Sequence, residues 1–418
     1  MSVLKVDNLT KTFVSGLWPF KTPQLYTAVN KDRDLMFKSV TFISIAFIFG
    51  LLWYISPVFK QFSKPTGIFS VGTKVVEFTD QTRKETFAEN PEDKRALVVR
   101  FFYPANTTEG FEKYPYLGAK MPYYQKVVAS YYHVPEFMAK LLFHGMSTNS
   151  YINAPLAHEQ ESYPVVLFSH GLLGLPSDTS LVILENLASH GYIVAVIDHP
   201  YLNALTFFAD GRVVSSLPLS EQFNKMSQKE QKEFQTKAID VYKADMKFLL
   251  DELTKLNQDT KSILYHRMNL GQIAAMGHSA GGTASIEFCR TDTRCKAAID
   301  LDGWYDQVIG QEPINKPLLL MFGSKSLEVT EPTPEYLKRK ELSRDRYFER
   351  EEKSNEHIQK LCSVTSCSFV VIPEAAHGDF GDEIFIKWPL RSWNAAESYK
   401  TMTMINEHIV HFFNRVLC

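Results

Sequence analysis

A serine stands between two glycines in Gly277-His278-Ser279-Ala280-Gly281, where the apolar run 273–276 gives way to a helical stretch that begins at Ala280. Glycines beside such a serine avoid the clash that any side chain would make on a tight strand-to-helix turn, so the hydroxyl can stand out at the bend. A helix-capping serine is the local alternative. A hydroxyl is a poor nucleophile until a base takes its proton, and the base needs an acid to hold its tautomer and stabilise its cation. Two acids close the next apolar run, Ala297-Ala-Ile-Asp-Leu-Asp-Gly303. Asp302 would stand at the carboxyl end of that strand, on the same edge as Ser279. Asp300 shares its side-chain parity but lies one pair deeper, where a buried structural acid is expected. For the base, His377 follows the last apolar run on the small-residue loop Ala375-Ala-His-Gly378. His408 and His411 fall in a C-terminal helix, and the ring of His278, inside the turn itself, is expected to be structural. An oxyanion formed by attack of Ser279 on a carbonyl would need preorganised N–H groups. One comes from Ala280, the residue after the serine, and one from Leu172 in the loop Phe168-Ser-His-Gly-Leu-Leu-Gly174, which Gly171 and Gly174 allow to bend toward the site.

Positioning these groups takes a particular set of elements. From Pro164 onward, short β-rich apolar runs at 165–168, 193–197, 273–276, 297–301, 318–322 and 369–372 alternate with helical stretches at 180–189, 229–256, 280–289 and 398–416. Buried strands separated by helices predict a mostly parallel sheet with helices on both faces. Upstream, 73–78 and 96–103 alternate like the strands of a hairpin. Residues 111–145 crowd tyrosine and phenylalanine around prolines and lysines, a composition suited either to an interfacial, acyl-binding segment or to core packing.

Composition narrows the function classes. The 418 residues are 45% hydrophobic and 22% charged, enough to fill one large core or two modest ones. The net charge of -2 gives no electrostatic case for a nucleic-acid partner. Five cysteines do not make a disulfide framework in a chain of this size. Cys289 with Cys295, or Cys362 with Cys367, could pair in an exported domain, but isolated buried thiols are the expectation. No cysteine and histidine cluster has zinc-ligand spacing, so neither metal nor cofactor is expected.

The uncharged run 39–59 is long enough to cross a bilayer and lacks a convincing cleavage site after it, which predicts a transmembrane signal anchor; a buried element of the globular domain is the alternative. Lys31, Arg33 and Lys38 before it, against Lys60 and Lys64 after it, point to a cytoplasmic N-terminus and an extracytoplasmic catalytic domain. The expected organisation is therefore a leader at 1–38, an anchor at 39–59 and, after the linker Ser63-Lys-Pro-Thr-Gly67, a catalytic domain at 66–418. Within the leader, Leu4-Lys-Val-Asp-Asn-Leu-Thr-Lys-Thr-Phe13 and Tyr26-Thr-Ala-Val29 resemble the opening strands of an ABC-transporter ATPase subunit. No phosphate loop follows, so no nucleotide site is carried over.

Three further stretches bear on family: Tyr163-Pro-Val-Val-Leu-Phe-Ser-His-Gly-Leu172, Leu187-Ala-Ser-His-Gly-Tyr-Ile-Val-Ala195 and Ala298-Ile-Asp-Leu-Asp-Gly-Trp304. With the Ser279 turn and the loop ending His377-Gly-Asp-Phe380, they resemble the plasma-type platelet-activating-factor acetylhydrolases, lipoprotein-associated phospholipases of the α/β-hydrolase fold, over residues 66–418. The order serine, acid, histidine is that of α/β-hydrolases. The resemblance implies a triad of Ser279, Asp302 and His377, an oxyanion hole at Leu172 and Ala280, and calcium-independent removal of short or oxidised acyl chains from phospholipids. Ala280 replaces a bulky aromatic that family members can carry, which should alter the acyl pocket. A general carboxylesterase for small or polymeric esters, like the polyester and dienelactone-type hydrolases that share the turn and triad, is the alternative enzyme. A catalytically dead hydrolase serving as a binding module is the alternative from another class.

Overall fold

A computed structural model describes residues 36, 38–48, 50–51, 62–131, 135–143, 146–173, 177–303, 314–339, 342–363, 366–385 and 395–418. Contacts divide the chain into two compact units, Met1–Phe59 and Lys60–Cys418. Among the described residues, the second contains twelve strands: β1 (Ser70–Lys84), β2 (Lys94–Ala105), β3 (Lys113–Pro115), β4 (Ser147–Ile152), β5 (Tyr163–Ser169), β6 (Ile193–Asp198), β7 (Leu205–Phe207), β8 (Val213–Ser215), β9 (Met268–His278), β10 (Cys295–Leu301), β11 (Leu318–Gly323) and β12 (Cys367–Ile372). Ten of them form one sheet in the order β12-β11-β10-β9-β5-β6-β2-β1-β4-β3, and β7 pairs with β8 separately.

The six apolar runs of the sequence are the six strands from β12 to β6, and every neighbouring pair among them is parallel. For the five other than the edge strand β12, whose Phe369 and Val371 are exposed, that composition follows from burial on both faces. In β5, Val165 and Leu167 point into one core with Ala238, Tyr242, Met246 and Leu249 of the helix Gln228–Leu256. Val166 and Phe168 point into the opposite core with Leu184 and Leu187 of the helix Leu181–Ser189 and Ile405, Ile409 and Phe413 of the helix Ala395–Leu417. A strand covered on both faces has no polar side, which is why these runs read as continuous rather than alternating. The helix Gln228–Leu256 starts at a capping box: Ser227 accepts the Glu230 N–H, and Glu230 accepts the Ser227 N–H at 2.8 Å. The expected hairpin is β1 and β2, antiparallel and joined to the parallel strands through an antiparallel β2–β6 pair. Because β5, β6, β9, β10, β11 and β12 run the same way, Ser169, His278, Leu301, Gly323 and Ile372 all end on one edge, the carboxyl edge where open α/β sheets hold their ligands.

Three expectations require correction or settlement. Among the described residues no helix is long and apolar enough to cross a membrane, so the single-pass anchor, the membrane as partner and the extracytoplasmic placement are not supported. The ATPase-like opening, residues 1–30, lies outside the described residues. The cysteines expected as isolated thiols are instead joined, Cys289 to Cys295 and Cys362 to Cys367. The paired Cα atoms stand 5.1 and 4.9 Å apart, within disulfide reach. Finally, Tyr114, Tyr116, Tyr124 and Phe143 of the aromatic segment are buried in the core beside Phe102 and Phe168, while Tyr123 and Phe137 remain exposed. Its main role is packing.

Candidate active site

Ser279 occupies the turn between β9 and the helix Ala280–Thr291 with φ 56° and ψ -124°. That backbone region costs a non-glycine residue about 1–3 kcal/mol and persists only where the surroundings enforce it. Two restraints are visible. The Ser279 N–H donates to the Leu301 carbonyl at 2.9 Å, tying the turn to the end of β10. A Cβ on Gly277 would overlap the Gly281 backbone, and one on Gly281 would overlap the Ser169 carbonyl at the end of β5. The two motif glycines thus let the helix start press against two strand ends at once.

The structure brings Ser279, His377 and Asp302 into one hydrogen-bonded chain. His377 Nε2 lies 3.1 Å from Ser279 Oγ, and His377 Nδ1 lies 2.6 Å from Asp302 Oδ2. Burial works to raise the Asp302 carboxyl. The His377 hydrogen bond and charge, the Gly323 N–H donating to Oδ1 at 2.8 Å and the Ser326 hydroxyl donating to Oδ2 at 2.7 Å outweigh it and hold the group below the usual carboxylate range. An ionised Asp302 can only accept, so Nδ1 carries the proton and Nε2 presents its lone pair to the serine hydroxyl. This arrangement can take the Ser279 proton and stabilise the resulting imidazolium.

Asp300 is two residues away and behaves oppositely. It is fully buried, and burial first, then the Asp302 charge, raise its carboxyl well above the ordinary value. Its oxygens fill the space where a Cβ on Gly282 or Gly303 would stand. This is the buried structural acid expected from its depth in the strand. The ring of His278 is also structural, with a specific partner: its Nε2–H donates to the His377 carbonyl at 2.8 Å, and the two rings lie 4.6 Å apart. His408 and His411 lie on the helix Ala395–Leu417.

The loop after β5 lies against the turn. A Cβ on Gly171 would stand 3.3 Å from the Ser279 Cβ, and Leu172 packs partly buried beside the core that holds Ala280. Leu172 and Ala280 thus belong to two different elements that meet beside the serine.

Sequence reasoning missed the supports. Ser326 and the Gly323 N–H hold Asp302, and Asp379 Oδ2 accepts the Ala376 N–H at 2.8 Å within the His377 loop. Asp382 accepts the Leu181 and Val182 N–H groups at 2.9 and 3.0 Å, pinning that loop to the start of a helix 200 residues earlier in the chain. Only Asp379, three residues from Ala376 just after the histidine, has a local pattern that could have announced it.

Comparisons with known proteins agree on family and fold. A family model described as "Platelet-activating factor acetylhydrolase, isoform II" matches residues 55–412. The platelet-activating factor acetylhydrolase of Canis lupus familiaris is 27% identical over 264 residues, 59% of this chain and 55% of the dog protein. A probable 1-alkyl-2-acetylglycerophosphocholine esterase of Arthroderma benhamiae is 26% identical over 263 residues, covering 59% of this chain and 60% of the fungal protein. The chain thus spans little more than half the length of these relatives. Among solved structures, a ferulic acid esterase from Streptomyces cinnamoneus superposes with a TM-score of 0.62 at 23% identity, over 86% of this chain and 93% of that one. At that identity the likeness concerns the fold, which is that of an α/β-hydrolase.

Proposed function

The chain belongs to the platelet-activating factor acetylhydrolase, isoform II, family, and from that premise we propose that it is a calcium-independent serine esterase that hydrolyses short or oxidised acyl esters of phospholipids, with residues 66–418 as its catalytic domain. The observation that carries this reading is the chain Ser279–His377–Asp302 on a strained turn.

In the first half-reaction, Ser279 Oγ attacks the acyl carbonyl while His377 Nε2 takes its proton. The C=O electrons move onto oxygen, where the N–H groups of Leu172 and Ala280 receive them. Collapse of that intermediate expels the glycerol oxygen, which takes the proton from His377 and leaves an acyl-Ser279. Water, deprotonated by the same nitrogen, then attacks the acyl-enzyme, releases the fatty acid and restores the hydroxyl. Asp302 holds the His377 ring and offsets its positive charge in both halves.

Chain-length preference follows from desolvation. A palmitoyl chain has 14 more methylenes than an acetyl group, and at ~0.8 kcal/mol each it loses about 11 kcal/mol more on leaving a lipid aggregate. An enzyme that takes its substrate from partly desorbed lipid therefore favours short or oxidised chains. The test compares acetyl, butyryl and palmitoyl phospholipids with a soluble butyrate ester, each with and without a chelator. Far higher catalytic efficiency on acetyl and butyryl lipids, unchanged by the chelator, is expected. Equal efficiency on dispersed palmitoyl lipid would reject the short-acyl reading, and activity confined to the soluble ester would favour a general carboxylesterase.

A further inference from the structure

Beneath the loop after β5 lies a polar cluster that the proposed reaction does not use. Ser169, the last residue of β5, His199, just past β6, and Asp245, on the helix Gln228–Leu256, are all fully buried. His199 Nδ1 lies 2.8 Å from Asp245 Oδ2 and its Nε2 lies 3.0 Å from Ser169 Oγ. Asp245 also meets two arginines: Arg83 Nη2 donates to Oδ1 at 2.8 Å, and buried Arg95 donates through Nε and Nη2. Arg95 is further bound by Glu85 at 2.7 Å and by the Pro200 carbonyl at 3.1 Å. The Tyr242 ring stacks on His199 at 3.9 Å. Burial tends to raise the Asp245 carboxyl, but the Arg95 charge and the His199 and Arg95 hydrogen bonds hold it far below the usual range. Ionised Asp245 fixes the proton on His199 Nδ1, so His199 Nε2 accepts the Ser169 hydroxyl.

This assembly reaches the proposed oxyanion loop through His170. His170 Nε2 accepts the His199 backbone N–H at 3.2 Å. Its Nδ1 lies 2.7 Å from the Gly171 carbonyl oxygen, and since a carbonyl only accepts, Nδ1 must carry the hydrogen. The Tyr242 hydroxyl stands on the same side, 3.5 Å from that carbonyl. Among the described residues no peptide bond is cis, so the Gly171 C=O and the Leu172 N–H of one peptide plane point in opposite directions. With the carbonyl drawn toward His170 and Tyr242, the Leu172 N–H must point away from them, in a loop whose Gly171 lies close enough to the turn that an added Cβ would stand 3.3 Å from the Ser279 Cβ.

We infer that His170 is a positioning residue: anchored by the buried Ser169–His199–Asp245–Arg95 cluster, it sets the Gly171–Leu172 peptide plane and thereby aims the Leu172 N–H at the oxyanion. The inference rests on the esterase reading for its catalytic consequence but not for its geometry. Burial, then the nearby charges of His199, Lys120 and Arg95, push the His170 ring well below the usual histidine range, consistent with a neutral ring of fixed tautomer.

Asparagine and glutamine separate the two ring nitrogens. His170→Asn keeps a donor where Nδ1 stands; His170→Gln keeps an acceptor where Nε2 stands and loses the donor to Gly171. With a soluble butyrate ester, His170→Gln should lose about 100- to 1000-fold in kcat with KM within about threefold, the signature of a missing oxyanion donor, while His170→Asn stays within about tenfold of wild type. Urea midpoints and near-ultraviolet circular dichroism report whether each variant folds. Equal kinetics for the two folded variants, or a loss confined to KM, would overturn the inference. A second measurement needs no turnover: nitrogen NMR of the full chain carrying labelled histidine, with the His170 signal identified by its loss in His170→Asn. A neutral Nδ1–H ring between pH 6 and 8 supports the positioning role, and an Nε2–H or charged ring overturns it. A wild type that binds no butyrate ester would count against the esterase reading alone, because the tautomer still decides the positioning.

Discussion

The chains Ser279–His377–Asp302 and Ser169–His199–Asp245 use the same residue types in the same hydrogen-bond order, with histidine-to-serine distances of 3.1 and 3.0 Å and histidine-to-aspartate distances of 2.6 and 2.8 Å. Their surroundings differ. The His377 side chain is 51% exposed, whereas that of His199 is 0% exposed. Ser279 sits at φ 56° on a turn, but Ser169 belongs to a regular parallel strand, paired on both sides. Hydrogen-bond donors surround Asp302, and two arginines hold Asp245. Hydrogen-bond geometry alone therefore does not distinguish a candidate nucleophile from a structural clasp. Access and a strained turn do.

The largest effect that could break this comparison is loss of the hydroxyl. Ser279→Ala should lower ester hydrolysis about a millionfold, the scale of removing a triad nucleophile, while Ser169→Ala should stay within about a hundredfold. Comparable losses in the two folded variants would erase the distinction. Next come the acids. Asp302→Asn should cost about 10⁴ in kcat by favouring the wrong His377 tautomer, with the urea midpoint little changed. Asp245→Asn should instead destabilise the protein by about 3–5 kcal/mol, because buried Arg95 would lose one of its two carboxylate partners and keep Glu85 alone. Urea titration alongside kinetics on both variants tests this crossing of effects.

A smaller effect sharpens the role of the arginines. Glu185 is as buried as Asp245 but is bonded by uncharged donors, including the Asn149 N–H at 2.9 Å and the Asn149 side chain at 3.0 Å. Burial pushes its carboxyl from 4.5 up to about 7. Since the folded value exceeds the unfolded one, the linked stability is fully present below pH 4.5 and is lost as pH rises through about 7. Wild type should lose about 3 kcal/mol across that window relative to Glu185→Gln, measured by urea unfolding at pH 4.5 and 8. Asp245, depressed by its arginines, has the opposite sign: its stabilisation is lost only as pH falls below the ordinary carboxylate range. An equal pH slope in wild type and Glu185→Gln would contradict this account of Glu185.

How much of this was legible depended on whether the cause was local. Two-sided burial made the five inner parallel strands continuous apolar runs, and the close approach of Gly277 and Gly281 put the turn at Ser279 into the sequence as two glycines. The ordering of Asp300 and Asp302 was readable because depth along a strand sets burial. The second Ser–His–Asp chain was not, since its members come from β5, the end of β6 and a helix, and nothing local joins them. One trace existed: Asp245 interrupts the buried stripe that Tyr242, Met246 and Leu249 form on that helix, and a lone acid on an apolar face must have a partner. The apolar run 39–59 misled because absence of charge over enough residues satisfies a hydropathy criterion whether or not a single helix spans it. The disulfides depended on turn geometry that spacing alone leaves open.

The central claim is that only the serine on the strained turn reacts. Treating the folded protein with a fluorophosphonate and mapping the adduct by peptide mass spectrometry tests it most directly. Labelling of Ser279 alone, absent in Ser279→Ala and retained in Ser169→Ala, is the predicted result; an adduct on Ser169, or undiminished labelling of Ser279→Ala, would contradict it.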